Sequence, residues 1–182
     1  MTTLFESARL RYRGFRKSDL DILYDLFNDP GIQLSANDHY VIPRPESFKD
    51  MLEQWTSNLL FCVIVDKETE RFVGQCGLRY EGLGEKNRDA TVGLALRKEF
   101  WGNGFGTEAV EWMVQMGFKT LGLHRISLDV FSSNSRAVAV YKKCGFLQEG
   151  VRRKALWRLG KWEDVITMAI LDEEYWTQHP LQ

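Results

Sequence analysis

Three residues without side chains stand at alternate positions in EFWGNGFGTEAVEWM, residues 99–113: Gly102, Gly104 and Gly106, directly ahead of an amphipathic segment. Their type and spacing point to anion binding. The start of a helix leaves four backbone N–H groups without intrahelical partners and carries about half a positive charge, so an anion placed there is held by both. Glycines remove the side chains that would keep it away. One glycine makes a tight turn; three in five residues, between a strand and a helix, predict a phosphate site. A P-loop requires GxxxxGK[ST], and here Gly106 is followed by Thr107 and Glu108, so the lysine is missing. A Rossmann fingerprint requires GxGxxG, a parallel start to the sheet and an acidic residue about 20 positions on. Asp129 stands where that acid would, but the third glycine comes one residue early. An antiparallel meander also precedes the motif, and too little chain follows for the second half of a dinucleotide fold.

Other reactive side chains give weaker signals on their own. Tyr141 lies on the stripe Ala137, Val140, Tyr141, Cys144, which by spacing alone is a core tyrosine whose hydroxyl finds a partner. Asn134 precedes that segment as a helix cap. Cys62, Cys76 and Cys144 are odd in number, lack CxxC spacing and sit in apolar segments, as reduced core thiols do. His39, His124 and His179 are scattered, with no spacing that puts two ligands on one face, so no metal is expected. RRKALWRLGKW is basic with interleaved aromatics, which in isolation suggests RNA contact. With 24 basic against 25 acidic residues and a net charge of -1, we read it as the exposed face of a strand and expect no nucleic-acid partner.

The elements that must position these residues follow from periodicity and turn chemistry. Ala8 to Arg16 alternates as a first strand. A helix follows with Ser18 or Asp19 as cap, Leu20, Leu23, Tyr24 and Phe27 at helical spacing, and Pro30 and Gly31 as the stop. IQLSANDHYVIPRP is a loop by its turn residues, and Ser47 to Leu59 a second helix carrying Phe48, Met51, Leu52 and Trp55. LLFCVIVD, KETE and RFVGQCGLRY form a hairpin, and GLGEKNR is a turn. DATVGLALR is a strand leading into the glycines. The next helix places Val110, Met113, Val114, Gly117, Phe118 and Leu121 on one stripe, with Glu108, Glu111, Gln115 and Lys119 elsewhere. HRISLDVF is a strand, NSRAVAVYKKCGF a short helix ended by Gly145, and VRRKALWR with EDVITMAIL a closing hairpin. The count is about seven strands and four helices in a mixed, mostly antiparallel α/β sheet with one crossover, from Asp89 to Phe131.

In WGNGFGTEA this chain resembles the (Q/R)xxGxG/A segment of the GNAT acetyltransferases. The form is that of the branch holding ribosomal-protein alanine and spermidine acetyltransferases, with Trp101 where most of the superfamily has Gln or Arg. NSRAVAVYKKCGF is similar to the family's second segment, NxxAxxxYxKxGF, at Asn134, Tyr141, Lys143, Gly145 and Phe146. RLRYRGFRKSDLDILYDLFND and LGKWEDVITMAIL are similar to the branch's opening and closing segments, so the likeness covers nearly the whole chain.

That resemblance implies a fold whose seven-stranded sheet splays at strands 4 and 5, acetyl-CoA as donor, and direct transfer to a primary amine on a small molecule or peptide. It implies that Leu94, Ala95 and Leu96 offer backbone groups to the pantetheine. Trp101, Gly102, Asn103, Gly104, Phe105, Gly106 and Thr107 wrap the pyrophosphate, and Asn134 and Lys143 also bind the coenzyme. Tyr141 becomes the general acid: a thiol of pKa about 8.5 and a tyrosine of about 10 are nearly balanced, so geometry matters more than a shifted pKa. The N–H near Leu94 stabilises the oxyanion. Many relatives carry Glu where Thr91 stands, and threonine cannot act as base. Asp89, Glu81 and His39 are substitutes acting through water. Deprotonating a lysine-like amine at pH 7 costs about 4.6 kcal/mol against about 1 kcal/mol for an α-amine, so a missing base leans towards weakly basic acceptors. The loop LSANDHYVIPRP and the final hairpin set acceptor specificity, with Arg152 and Arg153 placed to hold an acidic tail or the 3'-phosphate of CoA. A silent acyl-CoA sensor is the alternative that Thr91 raises, and a Rossmann-type NAD(P) protein the other.

At 182 residues, 44% hydrophobic and 27% charged, the chain has the composition of an ordinary globular protein, not a disordered or fibrous one. We expect one domain, residues 1–182, as a monomer or homodimer. MTTLFESARLR lacks the pattern of a secretory signal and no apolar run reaches the roughly 18 residues of a membrane span, which predicts a cytoplasmic protein without a membrane partner.

Overall fold

The computed structural model describes residues 3–81 and 83–180. Its seven strands have the order β1-β2-β3-β4-β5-β7-β6, with β4 and β5 parallel and the other neighbours antiparallel, the mixed α/β sheet that the sequence predicts. The chain divides into two compact units, Met1–Arg79 with Gly93–Ala109, and Tyr80–Val92 with Val110–Gln182.

In the first unit, β1 (Leu10–Arg13) pairs with β2 (Leu60–Asp66), which forms a hairpin with β3 (Phe72–Tyr80). Three helices supply the other layer: α1 (Leu20–Asn28), α2 (Pro30–Ala36) and α3 (Phe48–Trp55). Leu23, Leu26, Ile32, Phe48 and Leu52 from these helices bury against Ala95, with Trp55, Phe61 and Trp101 packed on the rim. Trp55 meets Phe27 and Phe48 edge-on at 5.2 and 5.9 Å, the arrangement that aromatic quadrupoles favour.

Several boundaries differ from the sequence expectation, among them the first strand, which is Leu10–Arg13 where Ala8 to Arg16 was expected. Pro30 and Gly31 do not end the helical region; they begin α2. Asp29 caps it, accepting from the N–H groups of Gly31 at 2.7 Å and Ile32 at 3.1 Å, and proline at the first helical position loses no bond. The loop therefore starts after Ala36. The second expected helix stops at Trp55, short of Leu59. Asp19 precedes α1 without capping it, because its carboxylate is taken by Arg13 at 2.7 and 2.8 Å and by the Arg16 N–H at 2.7 Å. Buried Gln33 ties the loop down, donating to the carbonyls of Phe27 and Ile42 and accepting from the Ile42 N–H.

In the second unit, β5 (Arg125–Phe131) pairs along its whole length with β7 (Lys161–Leu171), and β7 with β6 (Leu147–Arg158). The β6–β7 turn is Leu159 and Gly160, both at positive φ, as a two-residue hairpin turn requires. Leu156 and Arg158 of the basic run are buried, with the Arg158 guanidinium 4.2 Å above the Phe131 ring. That run is therefore an exposed face interrupted by two inward residues. The strand β4 (Asp89–Leu96) meets β5 at three positions, Asp89↔Arg125, Ala90↔Ile126 and Thr91↔Ser127, and the ladder ends there. The turn before β4 contains the 3-10 segment Glu85–Asn87; Gly82 lies outside the described residues.

Helix α4 (Phe105–Gln115) loosens into a π turn over Met116–Thr120, and Val110, Met113, Val114 and Phe118 are buried as the stripe requires. Helix α5 (Ser135–Lys143) stops before Gly145, whose φ of 92° only glycine adopts readily. A sixth helix, α6 (Asp172–Gln178), was absent from the sequence reading. Its start is marked by Glu174 accepting from the Leu171 N–H at 2.8 Å, a cap hidden in a run of acids.

Candidate active site

The glycine segment belongs to the first unit, directly after β4. Gly102 and Gly104 have φ of 79° and 82°, where an L side chain is strained, so both are glycine for backbone reasons. Gly106 differs: it lies inside the first turn of α4, at ordinary helical φ, and a Cβ there would meet only Leu96 Cδ1 at 3.8 Å. Turn geometry does not account for that glycine. A helix start without a side chain at that position is open to an anion resting on backbone amides. Gly102, Asn103 and Gly104 are exposed, while Phe105 is buried and stacked edge-on with Phe100 at 5.6 Å.

The loop is held from two sides. The Trp101 indole donates to the Leu96 carbonyl at 2.7 Å and fixes the exit from β4. Arg9, just before β1, donates to the Asn103 carbonyl at 2.8 Å and to Glu108 at 2.8 Å, and its guanidinium lies 4.4 Å over the Phe105 ring. Glu108 also accepts from the Ser7 hydroxyl and the Arg9 N–H, both at 2.6 Å. Burial pushes its carboxyl up, but these donors outweigh burial and hold it below the usual carboxylate range. Sequence reasoning placed Glu108 off the apolar stripe of the helix; nothing local in the sequence connects it to Arg9, 99 residues away.

Alternation along β4 sorts its backbone groups. The Arg97 N–H goes to the Val73 carbonyl, and the Ala95 carbonyl crowds Gly74, where a Cβ would lie 2.1 Å from it. Counted back from Arg97, strand alternation turns the Ala95 backbone groups towards β3 and those of Leu94 and Leu96 to the opposite edge. The Leu96 carbonyl takes the Trp101 indole. Of the three residues expected to offer backbone to a ligand, Leu94 has both groups on the edge away from β3.

Asn134, Tyr141 and Lys143 belong to the second unit, all on or beside α5. Asn134 caps the helix, its Oδ1 accepting from the Ala137 N–H at 3.2 Å. Tyr141 packs edge-on against Phe146 at 5.7 Å, and its carbonyl accepts from the Phe146 N–H at 3.0 Å, so the GF turn after the helix orients it. Burial pushes its phenol up to about 12, and the adjacent Cys144 thiol likewise to about 12. Lys143 is exposed in the last turn of α5. Cys62 and Cys76 are buried free thiols raised by the same cause.

The three base candidates differ. His39 is exposed beside Asp38 in the first unit, and Glu81 is exposed in the second. Asp89 is partly buried, with the Ser127 hydroxyl 3.5 Å from Oδ1 and Arg125 Nε 3.7 Å from Oδ2. Burial raises its carboxyl pKa against the pull of Arg125 and Ser127. Arg152 is paired with Asp129, which also accepts from Thr167 at 2.7 Å, so the acid that a Rossmann reading would assign to ribose is committed to β-sheet partners. Among the described residues no group of three or more His, Cys, Asp or Glu is placed to hold a metal ion, and no helix is long and apolar enough to cross a membrane.

Similarity to known proteins covers most of the chain. The acetyltransferase (GNAT) domain model matches residues 9–147. The chain is 30% identical over 183 residues to the uncharacterized N-acetyltransferase p20 of Bacillus licheniformis, covering 96% of this chain and 99% of that protein. It is 28% identical over 177 residues to the spermidine N(1)-acetyltransferase of Vibrio cholerae, covering 93% and 96%. In fold it resembles the crystal structure of spermidine N-acetyltransferase from Vibrio cholerae in complex with CoA and spermine, with a TM-score of 0.81 at 23% identity over 93% of this chain and 99% of that one.

Proposed function

Because this chain belongs to the GNAT acetyltransferase family and is an N-acetyltransferase, we propose that it moves acetyl from acetyl-CoA directly to a primary amine, with spermidine-type polyamines as the first acceptors to test. The observation that carries the reading is the strand, loop and helix from Leu94 to Thr107. Two glycines there are fixed by positive φ, and a third, Gly106, is helical with room for a Cβ and leaves the start of α4 open to close approach. Those amides hold the diphosphate of the coenzyme, and Leu94 offers its edge of β4 to the pantetheine and its N–H to the acetyl carbonyl. Asn134, set by its own cap, hydrogen-bonds the pantetheine arm, and Lys143 supplies charge to the coenzyme's phosphates.

Tyr141 supplies the proton to the departing sulfur. Against an ordinary thiol a phenol at about 12 would give up its proton at a cost of about 5 kcal/mol. Yet the burial that raises Tyr141 also raises the thiol of Cys144, three residues on, to about 12. A coenzyme sulfur desolvated beside Tyr141 would be shifted in the same direction, which narrows that gap.

The polyamine assignment draws on the relatives named above. A second reading, a small neutral amine, draws on the mixed charge of the loop after α2, where Asp38 and Glu46 flank His39 and Arg44. A thiol-release assay over spermidine, N-terminal peptides, aminoglycosides and amino acids decides between them. Spermidine turnover supports the first reading. Binding of acetyl-CoA without release against any amine makes the chain a sensor, and protection from unfolding by NAD(P)H alone overturns the family chemistry.

Two further results are expected. Arg9→Ala removes the side-chain bonds to both Asn103 and Glu108, so the KM for acetyl-CoA should rise about tenfold with kcat changed less than twofold, a split that steady-state kinetics reads. We also treat residues 1–182 as one acetyltransferase domain, for which calorimetry should record a single unfolding transition.

A further inference from the structure

On one face of the second unit's sheet, the parallel ladder between β4 and β5 carries polar side chains: Asp89 and Thr91 on β4, Arg125 and Ser127 on β5. On the other face Ala90, Val92, Ile126 and Leu128 are all buried. Ser127 Oγ donates to Asp89 Oδ1 at 3.5 Å and meets Thr91 Oγ1 at 3.5 Å. A hydroxyl has one proton to give. With Ser127's directed to Asp89, Thr91 is the donor in the second contact, and the three groups form a chain that points one way. Asp89 is its receiving end, and the lone pairs of Thr91 Oγ1 are its open end. That open end lies at Thr91↔Ser127, the last paired position of the two strands. Both contacts are long, as catalytic hydrogen bonds often are before ligands bind.

We infer that Asp89 is the terminal proton acceptor of the acetyl transfer, reached from the acceptor amine through the hydroxyls of Thr91 and Ser127. The inference rests on the acetyltransferase reading above. In the step, an ammonium proton passes to Thr91 Oγ1 as Thr91's own proton passes to Ser127 Oγ and Ser127's to Asp89 Oδ1. The amine is left neutral with its lone pair, both hydroxyls are unchanged in composition, and the carboxylate becomes a carboxylic acid. The Asp89 side chain is 14% exposed, which lets it return the proton to solvent before the next turnover.

The charges facing Asp89 suit this role. Arg125 Nε lies 3.7 Å from its Oδ2, but the same guanidinium is shared with Glu149 of β6, to which it donates at 2.7 Å. Glu149 raises the Asp89 carboxyl along with burial, while Arg125, Ser127 and His124 lower it. His124 is itself held 3.0 Å from Asp172. The net shift is upward, towards a stronger base than an ordinary carboxylate, and activity is expected to fall as pH drops through it.

The test uses the whole chain with the amine that turns over best in the thiol-release panel. Asp89→Asn, Ser127→Ala and Thr91→Val should each lower kcat about a hundredfold at pH 7, with the KM for acetyl-CoA changed less than twofold. The deficit should shrink at least tenfold by about pH 9.5, where a far larger fraction of the amine arrives deprotonated than at pH 7. Thr91→Ser, which keeps the hydroxyl, should retain most activity. The double variant Asp89→Asn/Ser127→Ala should be no slower than either single one, because both cut the same chain. Independently of any acceptor, the Asp89 carboxyl followed by carbon NMR should titrate higher in Ser127→Ala, which removes a donor. Full activity of Asp89→Asn, a deficit that does not change with pH, or multiplying effects in the double variant overturns the relay alone. Absence of wild-type turnover with every amine overturns the proposed activity and the relay with it.

Discussion

Tyr141→Phe is expected to lower kcat about a thousandfold while leaving the dissociation constant for acetyl-CoA within twofold of the wild type. The change removes one oxygen and keeps the ring, so the edge-on contact with Phe146 at 5.7 Å survives and α5 stays in place. What is lost is the proton offered to the departing sulfur, a contribution of two to four powers of ten in positioned acid catalysis. With a phenol at about 12 the wild type keeps that proton across the working range, so its high-pH limb should lie well above neutral. Pre-steady-state kinetics beside calorimetric binding separates the two effects. An unchanged kcat returns Tyr141 to the core residue that its helical stripe also describes.

The second large effect is expected in the glycine segment. Gly104→Val should weaken acetyl-CoA binding about a thousandfold. A β-branched residue at φ of 82° is strained, and its Cβ would sit 3.2 Å from Arg9 Nη2, so the strap on Asn103 shifts as well. Strain alone could produce that loss, and Gly106→Ala isolates the cause. Gly106 is helical and has room for a methyl group, so alanine should raise the melting temperature by a few degrees, as glycine-to-alanine exchanges in helices do. The same methyl intrudes on an anion resting on the helix start, and the dissociation constant for acetyl-CoA should rise about a hundredfold. A more stable protein that binds its donor worse is the signature; a more stable protein that binds it equally well places the diphosphate elsewhere.

Much of the scaffold was legible because it is written locally. Alternation marked the strands, and the stripe Val110, Met113, Val114 and Phe118 is buried as periodicity requires. Gly145 ends α5 for the reason a helix end favours glycine. The failures have local causes too. Pro30 signals a stop when read from the preceding helix and a start when read with Asp29 as cap, and the second reading holds. Helix α6 follows β7 without a turn residue between them, leaving no punctuation to find.

The candidate site was legible as two motifs and illegible as a set of contacts. The glycines stand out by spacing and Tyr141 only through the family resemblance, but the different reasons for Gly104 and Gly106 become visible only in backbone angles. Arg9 and Ser7 converge on Glu108 across a long sequence separation, and the Trp101 indole reaches back to Leu96. No pattern of residue types announces such pairings. Thr91 looked like a missing base in the sequence, whereas in the sheet it adjoins Ser127 and, through it, a carboxylate.

The most direct test of the account is a crystal structure of the chain with acetyl-CoA at saturating concentration. The diphosphate should rest on the backbone amides between Gly102 and Thr107, with the pantetheine along the Leu94 edge of β4. A diphosphate bound at any other surface, or a chain that crystallises without the coenzyme under those conditions, would contradict the account and every role derived from it.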